Sequence, residues 1–184
     1  MAVAPGPTIE TSRLILRPTS TDDFEPWAAF MAHESSRFVG GPVPSAVAWR
    51  GCMTMAGSWT LQGFGMFSVV DKQSGRWLGR VGPWRPDGWP GDEVGWGIVP
   101  DANGKGLATE AAAASMDWAF ANLGWTTIIH CIDRENAASQ GVARKLGSRV
   151  LRAGLMPPPF DDHEVDFWGQ TADDWKVNRQ RLGA

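Results

Sequence analysis

At 184 residues the chain has the length of one domain, and such a domain buries about 70% of the surface its unfolded form exposes. Hydrophobic residues make up 43% and charged residues 20%, the balance of a soluble globular protein rather than a disordered one. The net charge of −3 argues against a nucleic-acid or anionic-membrane surface and mildly favours cationic substrates.

No apolar run approaches membrane-spanning length and no signal-peptide core is visible, so the expected compartment is the cytoplasm. Cys52 and Cys131 form neither a metal spacing nor a disulfide framework and read as reduced, buried thiols. There are 11 Trp and no Tyr, which removes one common proton donor from any mechanism.

Residues 1–8 are small and proline-rich, and are expected to be flexible. Arg13–Arg17 reads as a strand ended by Pro18. The capping residues of Thr19-Ser-Thr-Asp-Asp then open a helix to His33. Ser35–Pro44 reads as a loop, and Ser45 as the cap of a second helix reaching Leu61. Gly65–Asp71 and Arg76–Gly82 are strands joined by a hairpin loop that closes on Gly75. Trp84–Asp92 is a turn-rich link into a strand over Glu93–Val99, which Pro100 stops.

Asn103-Gly104-Lys105-Gly106 follows as a tight glycine loop, and from Leu107 an apolar 3.6-residue pattern continues to Leu123, with Gly124 as the stop. Trp125–Asp133 is an almost unbroken apolar strand, as expected when both faces are covered. Asn136 caps a short helix that ends at Gly147. Val150–Arg152 and Glu164–Trp168 are closing strands separated by Pro157-Pro-Pro159. A last helix runs from Thr171, with Asp174 at the capping-box spacing. This order predicts an α+β domain around a mixed, mostly antiparallel sheet of about six to seven strands. No linker or repeat interrupts it, so residues 1–184 are expected to form a single domain.

The loop before Leu107 carries the chemistry. A helix N-terminus presents unpaired amides and partial positive charge to whatever the loop surrounds, which suits phosphate. Glycine loops also precede helices with no ligand at all. A P-loop is excluded, because Val99 and Gly106 stand where Gly and Ser or Thr are required. A dinucleotide fingerprint fails at Thr109, where a third glycine belongs. A nucleotide-binding protein is therefore a poor reading.

Glu93-Val-Gly-Trp, Pro100-Asp101 and Gly104-Lys-Gly-Leu-Ala-Thr-Glu-Ala111 together resemble the acetyl-CoA loop of GNAT-type N-acetyltransferases. The branch is similar to the ribosomal-protein alanine and serine N-acetyltransferases. Asn136-Ala-Ala-Ser139 with Arg144-Lys-Leu-Gly147, and the opening Thr11-Ser-Arg-Leu-Ile-Leu-Arg-Pro18, extend the resemblance over about residues 8–182. It implies a GNAT fold and a transfer of acetyl from acetyl-CoA to a primary amine in a ternary complex. The acceptor would be a protein N-terminus or a small-molecule amine, with no metal, no nucleic acid and no membrane. The protein would be a monomer or a homodimer.

The resemblance also implies site roles. The pyrophosphate would meet the amides of Asn103, Gly104, Lys105, Gly106, Leu107, Ala108 and Thr109, while the pantetheine arm pairs with backbone at Gly97, Ile98 and Val99. Asn136, Ser139 and Lys145 complete the cofactor contacts. Asp101 departs from the Arg or Gln common in the superfamily and must point away from the phosphates, with Lys105 offsetting it. Ser148 departs from the usual Phe after Lys-Leu-Gly.

Transfer to an amine needs the amine neutral. An α-amine with pKa near 7.8 is roughly 14% neutral at pH 7, against about 0.04% for lysine near 10.4, a handicap of about 3.5 kcal/mol. A carboxylate acting through water helps in either case. The resemblance makes Glu93 the candidate base, at the strand position of a carboxylate in several acetyltransferases of that fold; the plainer reading is a solvated charge at a strand start. The resemblance implies that Ser139, with Asn136, stands in for the missing tyrosine at the leaving sulfur; by themselves the two read equally as a first-turn residue and an N-cap. His130 reads as a satisfied core residue, while Phe38, Trp84, Trp89 and Trp96 offer an acceptor wall or plain packing. The rival from another class is a catalytically weak CoA-binding or regulatory module, favoured by the absent Tyr and by Asp101 and Ser148.

Overall fold

A computed structural model describes residues 4–158, 160–161 and 164–182. The chain divides into two compact units, Met1–Gly82 with Trp96–Ala111, and Pro83–Gly95 with Ala112–Ala184.

In the first unit, strands β1 (Ile9–Glu10), β2 (Leu14–Arg17), β3 (Phe67–Asp71) and β4 (Trp77–Trp84) pair antiparallel in sequence order. Helices α1 (Phe24–Ala32) and α2 (Ser45–Gln62) carry the apolar residues that the sheet buries. Leu14, Leu16, Phe67, Val69 and Val81 are fully enclosed, and the Trp59 and Phe67 rings meet with centroids 4.7 Å apart. Trp27 Nε1 donates to the Ala48 carbonyl at 2.7 Å, so the large ring is buried without orphaning its N–H. Asp23 is buried but not unpaired. Arg17 grips it with two bonds of 2.7 Å, and Ser68 Oγ and the Ser20 N–H donate to it as well.

In the second unit, β6 (Thr127–Asp133) pairs antiparallel with β8 (Glu164–Thr171) from Thr127↔Thr171 to Asp133↔Val165. β7 (Arg149–Leu155) lies on the outer side of β8. Strand β5 (Glu93–Ile98) begins here and joins β6 in parallel through the single pair Glu93↔Ile129. Helices α3 (Leu107–Asn122), α4 (Ala137–Lys145) and α5 (Ala172–Leu182) supply the covering faces, with Met116, Ile128, Leu146 and Phe167 at the centre.

Eight strands are described where about six to seven were expected, and the mixed, mostly antiparallel α+β architecture holds. The extra one is β1, whose two residues are too few for any alternation to be visible. Two local expectations also change. Pro44, not Ser45, caps α2 and makes no side-chain bond, and Glu34–Val39 winds into a 3-10 helix where a loop was expected. The expected Thr171–Asp174 capping box is present, its two reciprocal bonds measuring 3.1 and 3.3 Å. Of the segment expected to be flexible, residues 1–3 lie outside the described residues, while the Ala4 N–H reaches the Thr19 carbonyl at 3.1 Å. Pro159, in the link expected between the closing strands, also lies outside them.

Candidate functional site

The first unit carries the whole glycine loop. β5 delivers Gly97, Ile98 and Val99, and Pro100–Ala102 makes one 3-10 turn with Ala102 buried beneath it. Val99 is internally bonded at both backbone groups, its N–H to the Leu78 carbonyl and its carbonyl to the Ala102 N–H. Gly104 and Gly106 both adopt left-handed backbone, φ 76° and 77°, a conformation in which a side chain is strained by about 1–2 kcal/mol. Asn103, Gly104 and Lys105 are exposed, and Leu107 is buried and anchors the start of α3. The Glu110 N–H closes the first turn onto the Gly106 carbonyl at 3.1 Å. The amides of Leu107, Ala108 and Thr109 belong to the set that an α-helix leaves without an internal acceptor. Such amides at the positive end of a 16-residue helix are a fitting seat for an anion.

Asp101 is the one acidic side chain of that loop. Its carboxylate pairs with Arg76, and that bond above all holds it below the usual carboxylate range. Sequence reasoning assigned the offset to Lys105; Arg76, from the β3–β4 hairpin, provides most of it. No spacing rule connects two residues 25 positions apart, so only the fold reveals the pair.

Four further bonds tie α3 to the opening motif. Glu110 Oε1 accepts from Thr11 Oγ1 at 2.6 Å, Ser12 Oγ at 2.9 Å and the Arg13 N–H at 2.9 Å, and Oε2 accepts from Arg13 Nε at 2.7 Å. Arg13 Nη1 also donates to the Lys105 carbonyl at 2.9 Å. Burial pushes the Glu110 carboxyl up, but these donors outweigh it and hold it below its ordinary value.

The second unit holds Glu93, Asn136, Ser139 and Lys145. Glu93 is only 6% exposed, which overturns its reading as a solvated charge. Oε1 accepts from the Cys131 N–H at 3.0 Å and Oε2 from Trp89 Nε1. The neighbouring His130 is buried and also faces β5. Its Nδ1 meets the Val94 carbonyl at 2.7 Å, which requires a proton there, so Nε2 accepts from Ser148 Oγ at 3.0 Å. Gln170 Nε2 then donates to that serine oxygen at 2.9 Å and to the Leu146 carbonyl. The chain of bonds explains Ser148 at a position where the resembled family carries Phe. It also explains why β5 leaves β6 after one pair. Side chains of Glu93 and His130 occupy the Cys131 N–H and the Val94 carbonyl that a continuing ladder would use. Burial lowers the His130 pKa to about 4, and burial followed by Glu93 pushes the Cys131 thiol up.

Asn136 Oδ1 accepts from the Ser139 N–H at 3.1 Å, so the expected N-cap is present and Ser139 is half-buried in the first turn of α4. Lys145 is exposed at the last residue of that helix. Trp84 and Trp96 are half-buried, and Trp89 is committed to Glu93. Among the described residues no group of His, Cys, Asp or Glu is arranged to hold a metal ion, and no helix is long and apolar enough to cross a membrane.

Residues 13–149 match the family model described as the acetyltransferase (GNAT) domain. The chain is 42% identical to the spermidine N(1)-acetyltransferase of Escherichia coli (strain K12) over 53 residues, which are 29% of this chain and 28% of that protein. Among solved structures it is similar to an acetyltransferase from Agrobacterium tumefaciens str. C58, with TM-score 0.79 and 29% identity over 92% of this chain and 97% of that one. The ribosomal-protein-S5-alanine acetyltransferase of Vibrio fischeri shares the fold at TM-score 0.71 and 17% identity, over 92% and 98% of the two chains.

Proposed function

The chain belongs to the GNAT acetyltransferase family, and from that premise we propose that it carries acetyl from acetyl-CoA directly to a primary amine within a ternary complex. The observation that carries the proposal is the loop of two left-handed glycines that leads directly into the first turn of α3, whose amides have no acceptor within the helix. Open space surrounds the position of a Cβ at Gly104, and Arg76 neutralises Asp101, so the loop suits a pyrophosphate in both shape and charge. We assign the pyrophosphate to the amides from Gly104 to Thr109; the Asn103 N–H is held by the Pro100 carbonyl at 3.1 Å, so that residue borders the site instead. The pantetheine arm falls to Gly97, Ile98 and the second lone pair of the Val99 carbonyl. Asn136, Ser139 and Lys145 are the further cofactor contacts, and residues 1–184 act as one acetyltransferase domain.

Bound acetyl-CoA supplies the acyl group as a thioester. The amine nitrogen forms the new bond to carbon, the carbon–sulfur bond breaks, and the proton shed by nitrogen is balanced by one gained at sulfur. Glu93 is assigned the first transfer, through water. Its carboxylate is buried and oriented by the N–H groups of Trp89 and Cys131, on the strand where the amine is proposed to lose its proton. Ser139 is assigned the hydrogen bond to the departing sulfur, at the head of a helix that Asn136 caps.

The acceptor is an amine of either kind, a protein N-terminus or a small molecule. The Vibrio fischeri protein is named for a ribosomal alanine and the Escherichia coli protein for spermidine, and the greater neutral fraction of an α-amine favours the N-terminus. A silent CoA-binding module on the same fold loses two of its three supports, since Ser148 and Asp101 each have a packing partner. Thioester cleavage measured with a panel of amines tests the proposal: amine-dependent release of CoA supports it.

A further inference from the structure

The opening motif Thr11-Ser12-Arg13 has no part in the transfer just outlined, yet its donors converge on one carboxylate at the start of α3. We infer that Arg13, held by Glu110, is a positioning residue that fixes the orientation of the cofactor loop, an inference that rests on the proposed acetyl-CoA site. Lys105 sits between two left-handed glycines, so the peptide units on either side of it can rotate with little steric resistance. Arg13 Nη1 removes that freedom by taking the Lys105 carbonyl at 2.9 Å.

The Lys105 carbonyl and the Gly106 N–H belong to one planar trans peptide and point in opposite directions. Holding the oxygen toward Arg13 therefore aims the Gly106 N–H away from it, toward the side assigned to the pyrophosphate. Glu110 locks the other end of the fork through Nε, and Thr11, Ser12 and the Arg13 N–H lock Glu110. The carboxylate is held ionised by these donors, so the pairing persists at neutral pH. Because Glu110 compensates the guanidinium charge, Arg13 acts through orientation and not as a cationic phosphate ligand. A lysine cannot replace it, since one ammonium lacks the planar fork that serves a carboxylate and a carbonyl together.

The test is calorimetric titration of CoA into the full chain, with kcat and KM for acetyl-CoA, for Arg13→Gln, Arg13→Lys and Glu110→Gln. Both Arg13 variants are expected to raise the Kd of CoA and the KM of acetyl-CoA about tenfold or more, with kcat at saturation within about threefold of the parent. Glu110→Gln is expected to weaken binding in the same sense. The Arg13→Gln/Glu110→Gln double variant should be no worse than Arg13→Gln, because both remove one device. The salt dependence of Kd should keep the parent's slope. Full affinity in Arg13→Lys, a Kd within twofold of the parent in both Arg13 variants, or a salt slope reduced by about one charge would each overturn the positioning role. If Arg13→Gln does not fold, Arg13→Lys and Glu110→Gln carry the same comparison. A parent protein that takes up no CoA at all contradicts the proposed function instead, so the two failures are distinct.

Discussion

Replacing Glu93 by Gln places an amide NH2 where an oxygen now stands, and Trp89 Nε1 and the Cys131 N–H, which reach one oxygen each, are donors. One donor must then face another, at a cost of about 1–3 kcal/mol in stability. The same change removes the proposed base. Glu93→Gln is therefore expected to lower both the melting temperature and kcat, the latter about 10²-fold at pH 7, with the loss in kcat shrinking as pH rises and the amine deprotonates unaided. A pH–rate profile that merely parallels the parent's would leave Glu93 with its strand-bridging role alone. The sequence made Glu93 visible through its place in a motif. Its burial was not visible, because the Cys131 N–H that holds it comes from a strand 38 positions away.

At the level of single elements, the loop and the helix after it were the most legible part of the chain. Glycine, a capping-type residue and the apolar period all agree there, and α3 begins at Leu107 and stops before Gly124 as they require. Gly104→Ala should cost about 1–2 kcal/mol through its left-handed backbone alone, since nothing lies within 4 Å of the added carbon. Gly104→Val, broader at the point of approach, should also abolish the melting shift produced by CoA; a normal shift would remove this backbone from the cofactor site.

The polar chain linking β6, the residue before β7, and β8 was half legible: His130 reads as a core residue, but Ser148 and Gln170 carry no pattern that pairs them with it. Protonating His130 places a charge in a buried site and turns Nε2 into a donor, so the Ser148 hydroxyl loses the acceptor it uses there. With a folded pKa of about 4 below an unfolded value of 6.5, the unfolded state binds more protons in between. Stability should therefore fall as pH drops through that window, by about 3 kcal/mol in all from this residue. His130→Gln, compared with the parent by denaturant unfolding at pH 7 and pH 4, should flatten that part of the dependence. An unchanged slope would mean that other groups carry it.

At the scale of the whole molecule, composition and element order gave the α+β class, and three short motifs gave the family later matched over residues 13–149. Contacts between residues distant in the chain were beyond such reading, which is why Arg76–Asp101 and Arg13–Glu110 had to come from the structure. The central claim is acetyl transfer from acetyl-CoA to an amine, and the most direct measurement follows thiol release from acetyl-CoA beside mass analysis of the acceptors. The panel is an N-terminal alanine peptide, an N-terminal serine peptide, spermidine and a lysine side-chain peptide with a blocked N-terminus. The account predicts thiol release that depends on an amine, with one acetyl gained by that acceptor for each thiol freed. Acetyl-CoA that neither raises the melting temperature nor loses its acetyl group to any of these amines would contradict it.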